Sequence, residues 1–100
     1  MIYLKDGVRL HGLTPQAVLG IQIVASCFDK HQHNLVVTSV SEGKHMPKSL
    51  HYHGRAFDVR RPGGDEHNLA EDCDKALGGD WDFLIQKDHW HFEWDPRGKP

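Results

Sequence analysis

The segment His89-Trp90-His91-Phe92-Glu93-Trp94 alternates polar and aromatic side chains at every position. A period of two is that of a β-strand, so one face carries His89, His91 and Glu93 and the other carries three aromatic rings. Rings of that size need a core, which makes the polar face the wall of a wet site. A strand of this kind has to be covered on one side only, and the rest of the chain supplies the cover.

Thr14-Pro15 predicts a helix start, because threonine can cap free N–H groups and proline is preset for the first helical position. Ala17, Ile21, Val24 and Phe28 follow at helical spacing, joined by Val18, Ala25 and Cys27, which predicts a core-facing helix over 15–30. A second helix is predicted after Pro62-Gly63-Gly64, capped by Asp65, striped by Leu69, Cys73, Ala76 and Leu77, and ended by Gly78-Gly79. Strands are predicted over 34–40, 55–60, 81–86 and 89–94, and residues 41–49 read as a loop. Asp6-Gly7, flanked by Ile2 to Lys5 and Val8 to Leu10, suits a two-residue type I′ hairpin turn. The order predicts an α+β domain with two helices and a mainly antiparallel sheet.

One hundred residues suit a single domain spanning 1–100. The net charge of -2 argues against a nucleic-acid partner, which normally faces a basic stripe. No apolar run reaches the ~20 residues of a membrane span, and the first residues lack the pattern of a cleavable signal peptide. Cys27 and Cys73 each fall on a helix stripe and form no C-x-x-C pair; two buried thiols are expected, with one disulfide as the minority alternative.

Histidine is the unusual entry in the composition, nine in all, and it is the commonest metal ligand. Two clusters stand out, Ser49 to Asp58 and Asp88 to Glu93. A catalytic zinc wants three nitrogen or carboxylate ligands and an open position. On the strand 55–60, Ala56 and Asp58 share a face, the small alanine leaving room beside the carboxylate, and Gly54 lets the chain turn so that His51 can fold back toward it. Singly, each residue has a plain reading. An H-x-H pair can sit on an exposed edge strand, and Asp58 can pair with Arg60 or Arg61. His11, His31, His33, His45, His53 and His67 are assigned to the surface or to local hydrogen bonds.

Ser49-x-His51-x-x-Gly54-x-Ala56-x-Asp58 resembles, without a gap, the S-x-H-x-x-G-x-A-x-D signature of the LAS zinc peptidases. That group includes D-alanyl-D-alanine carboxypeptidases and dipeptidases, phage L-alanyl-D-glutamate endopeptidases and the hedgehog signalling domain. Asp88-x-x-His91 resembles its second element. The resemblance covers roughly residues 12–95 and implies the hedgehog/DD-peptidase fold in a short phage-type member. It implies Zn2+ held by His51, Asp58 and His91, Asp88 as the general base, Ser49 near the substrate, and His89 at the site's edge steadying the oxyanion. The substrate it implies is a peptidoglycan stem peptide, and the aspartate base favours the endopeptidase branch over the carboxypeptidases. Glu42 stands where many relatives carry a substrate-contacting arginine; Lys44 or His45 is the substitute cation. That departure supports a rival reading, a non-catalytic zinc module that binds a cell wall or protein partner. A histidine-rich nuclease is the second rival and lacks a basic surface. The same ligand set suits iron or manganese. A monomer is expected, made in the cytoplasm and acting on the wall after release or export.

Overall fold

A computed structural model describes residues 1–40, 54–64 and 66–96. In chain order the elements are β1 (Ile2–Leu4), α1 (Pro15–Lys30), β2 (Leu35–Val40), β3 (Ala56–Arg60), α2 (Glu66–Leu77), β4 (Trp81–Ile85) and β5 (His89–Trp94). They form an α+β fold with a five-stranded open sheet in the order β1-β2-β3-β5-β4. Every pairing is antiparallel except β1 with β2.

α1 begins as its sequence requires. Thr14 is extended, its hydroxyl accepts from the Ala17 N–H at 3.1 Å, and Pro15 occupies the first turn. Its end uses a device without the usual glycine. Gln32 sits at φ 62, the His33 N–H donates to the Phe28 carbonyl at 2.9 Å, and the Gln32 N–H donates to that of Asp29 at 3.0 Å. This is a Schellman pattern, with glutamine in the left-handed position that glycine normally fills. α2 ends at Gly78, φ 87, as expected; its proposed cap Asp65 lies outside the described residues.

The expected N-terminal hairpin does not form. Asp6-Gly7 does turn the chain, with the Val8 N–H donating to the Lys5 carbonyl at 2.9 Å, but Val8 to Leu10 do not return as a strand. Gly7 has φ 87 while Asp6 is not among the positive-φ residues. A type I′ turn needs both central residues at positive φ, and a type II′ turn the first; with only the second positive, the turn does not match strand twist. β1 instead lies parallel to β2, Ile2 beside Leu35, and the Lys5 N–H extends the pairing to the Val37 carbonyl at 2.9 Å.

Both helices lie on one face of the sheet. Val24, Phe28, Leu35, Val37, Val40, Phe57, Val59, Leu69, Trp90 and Phe92 are fully buried there. Phe92 stacks between Phe57 (5.1 Å) and Phe83 (4.5 Å), and Trp90 meets Phe83 and Phe28 edge-on at 5.1 and 5.8 Å. Offset and edge-to-face contacts of this kind add to the area buried. Trp94 shares this side but is only half-buried, with the Arg55 guanidinium 5.4 Å from its ring centroid. Cys27 and Cys73 are buried thiols, not a disulfide, and burial pushes both pKa values up, Cys73 the further. No helix of the described residues is long and apolar enough to cross a membrane.

Candidate metal and acid–base site

The face of the sheet away from the helices collects the polar residues. Asp58 on β3 stands directly opposite His91 on β5, with Ala56 opposite Glu93 and Arg60 opposite His89. β2 adds a bulge. Its register to β3 shifts between Val37 and Ser39, so Val37 pairs with Val59 and Ser39 with Asp58. The irregularity resets the alternation and lets both Val37 and Val40, three positions apart, point into the core. It also sets Thr38 and Ser39 beside Asp58.

Carboxylates and imidazoles alternate across this face. His91 Nδ1 donates to Asp58 Oδ1 at 2.7 Å and its Nε2 donates to Glu93 Oε1 at 2.6 Å. His89 Nδ1 donates to Asp88 Oδ1 at 2.7 Å, and its Nε2 lies 3.9 Å from Asp58 Oδ2. Both nitrogens of His91 face carboxylates, an arrangement that favours the doubly protonated ring. Burial pulls its pKa down, but the bonds to Asp58 and Glu93 outweigh that and the net shift is upward. Asp88 is held below the usual carboxylate range, chiefly by its bond from His89, and is ionised at neutral pH.

Asp88 occupies the β4–β5 turn, which the Gln86 N–H closes by donating to the His89 carbonyl at 2.9 Å. It therefore escapes the alternation that would aim it away from His91. Asp88 joins Lys5, Thr38, Asp58, Arg60 and His89 around one cavity of about 260 Å³. Neither arginine pairs with Asp58 as the plain reading allowed. Arg61 binds Glu66 at the start of α2 and donates from Nη1 to the Gln86 carbonyl at 3.0 Å, which ties the turn carrying Asp88 to the helix. Of the other histidines described, His67 meets Glu71 one turn along α2 at 2.9 Å, whereas His31 is not local and ties the end of α1 to Asp72 on α2 at 2.6 Å.

Of the residues singled out in the sequence, Asp58, Asp88, His89 and His91 are brought together. His51, Ser49 and Lys44, with Glu42, His45 and His53, lie outside the described residues. Three contributors were not foreseen. Glu93 was placed on the right face by alternation, without its bond to His91. Thr38 faces the cavity by the alternation that buries Leu35 and Val37 on the other side, and Lys5 because β1 runs parallel to β2, which no local signal marks.

The donor set suits a divalent cation in part. Asp58 oxygen and His91 nitrogen meet on adjacent strands with little solvent, and a cation can replace the proton they share. Among the described residues no three side chains of His, Cys, Asp or Glu are grouped to hold a metal ion. Glu93 does not complete such a set, since it meets the opposite nitrogen of the His91 ring from Asp58. A further ligand has to come from elsewhere in the chain.

No protein-family model matches the chain, and neither a curated protein nor a solved structure does.

Proposed function

We propose that the chain is a zinc-dependent peptidase that hydrolyses an amide bond in peptidoglycan stem peptides, as a short member of the LAS group with the hedgehog/DD-peptidase fold. The observation that carries this reading is the meeting of Asp58 and His91, 33 residues apart, at directly paired positions on the face away from the helices, 2.7 Å from one another. These are the two described members of the ligand set that the motif names, and His51 is the third. A bound zinc would polarise the scissile carbonyl and lower the pKa of a bound water toward ~7.

The chain's own residues do the rest. Asp88, ionised in its turn, takes the proton of the attacking water and delivers it to the leaving amine. His89 holds the Asp88 carboxylate through Nδ1. Its Nε2 side faces the cavity beside Asp58, and when the ring carries both protons that nitrogen can donate to developing negative charge on the substrate oxygen. Glu93 holds the far side of His91, as a carboxylate commonly does behind a metal-binding imidazole. Arg61 keeps the turn of Asp88 against α2.

The test is mass spectrometry of peptidoglycan fragments after digestion, with and without a chelator, beside metal analysis of the purified protein. About one zinc per chain and chelator-sensitive release of new amino groups is the expected result. Asp88→Ala should keep the metal and lose turnover. Retained turnover in that variant would remove Asp88 from the role of base. A zinc-bound protein that cleaves nothing but binds wall fragments would favour the non-catalytic module, the reading to which Glu42 points.

A further inference from the structure

We propose that the cavity beside Asp58 is an anion subsite, in which Arg60 and Lys5 bind a carboxylate of the substrate. The inference rests on the peptidase reading and names the chemistry of the group next to the scissile bond.

The cavity is walled by four neighbouring strands: Lys5 follows β1, Thr38 is on β2, Asp58 and Arg60 are on β3, and Asp88 and His89 open β5. Its volume of about 260 Å³ holds a carboxylate and the atoms that carry it. Its charges divide into two kinds. The carboxylates are engaged with imidazoles, Asp58 with His91 and Asp88 with His89. The cations are exposed and not engaged: among the described residues, no side-chain hydrogen bond or ion pair joins Lys5 or Arg60 to another residue. The other arginine on this stretch, Arg61, is fully committed to Glu66 and the turn carbonyls.

A guanidinium left unpaired in a polar concavity offers a planar fork that matches a carboxylate. The Thr38 hydroxyl on the same wall can donate a further bond. Arg60 shares a face with Asp58 two residues away, so the bound carboxylate lies about 7 Å along the strand from the metal and acid–base pair. That is about two residues' rise along an extended peptide. The departure at Glu42 takes on a meaning here: the positive charge for the substrate comes from β1 and β3 instead of the loop after β2.

The experiment uses the zinc-loaded full chain and three synthetic stem peptides of the sequence L-Ala-γ-D-Glu-L-Lys-D-Ala. One has both carboxylates free, one is amidated at the D-Glu α-carboxyl, and one at the C-terminus. Cleavage is followed by chromatography and binding by calorimetry, for the wild type, Arg60→Ala, Arg60→Lys and the Lys5→Ala/Arg60→Ala pair. One amidation should raise KM roughly 10- to 100-fold, the range for a charge-assisted hydrogen bond, and the sensitive peptide identifies which carboxylate is bound. The double variant should lose that discrimination and Arg60→Lys should keep part of it, with kcat changed far less than KM. Equal KM for all three peptides, or discrimination that survives in the double variant, overturns the proposal. Binding that depends on Arg60 without cleavage of any peptide upholds the subsite and removes the peptidase reading.

Discussion

Gly54 is the residue through which the chain enters β3, and its replacement by alanine measures how tightly that entry is built. Gly54 has φ 74, and a Cβ added there would stand 2.2 Å from the Gly12 carbonyl oxygen and 3.4 Å from Leu13 Cα. Its own carbonyl accepts from the Thr14 N–H at 2.9 Å, at the N-cap of α1. Two costs follow. A left-handed conformation costs an L-residue about 1–2 kcal/mol. The contact with backbone is relieved only by moving one chain segment, at about 1–3 kcal/mol, with about 1 kcal/mol more if the Thr14 bond breaks. Gly54→Ala should therefore destabilise by about 2–6 kcal/mol, a large share of the ~5–15 kcal/mol of a typical domain. At 4–8 °C per kcal/mol for a chain of this size, Tm should fall by roughly 8–48 °C. Gly7→Ala is the control: φ is 87 there as well, yet nothing lies within 4 Å of the added carbon. It should lose only the conformational part, about 1–2 kcal/mol. Thermal and urea unfolding followed by circular dichroism give both values. Equal losses in the two variants would show that the close approach to Gly12 carries no weight, and the account of how β3 is anchored would fail.

Gln32→Gly should raise stability by about 0.5–1 kcal/mol in urea unfolding, because glycine enters the left-handed position without the steric cost. Trp90→Phe should cost less than about 1.5 kcal/mol despite full burial: its indole N–H has no partner, and removing an unsatisfied buried donor offsets part of the lost packing. Glu66 has its pKa lowered from the ordinary 4.5, first by the hydrogen bond from Arg61 and against the opposing effect of burial. The stability it contributes is thus present above pH ~4.5 and lost as the pH falls through its depressed folded value. The stability difference between wild type and Glu66→Gln should accordingly shrink on acidification below that point; a gap independent of pH from 7 to 3 would refute it.

Much of this was open to reading from the residues. α1 and β5 have the expected limits because each is dictated locally: a capping threonine and proline with a helical stripe in one, strict alternation in the other. The same alternation put His89, His91 and Glu93 on one face, and the turn character of Lys87-Asp88 released Asp88 from it. The end of α1 was less legible, since glutamine carries no local preference for positive φ. The N-terminal hairpin was misread because Asp-Gly permits more than one turn type, and the pairing choice was made by β2, thirty residues on.

The tertiary structure alone decided which side chains share the site. Local pattern names a face, but strand order and register place Asp58 against His91 instead of Arg60 or Arg61. The pairing of β2 with β3 and the parallel run of β1 bring Thr38 and Lys5 to the same cavity. These contacts arise between segments far apart in sequence, and their geometry follows from how the sheet closes over its core. Nothing in the nearest neighbours of any one residue encodes it.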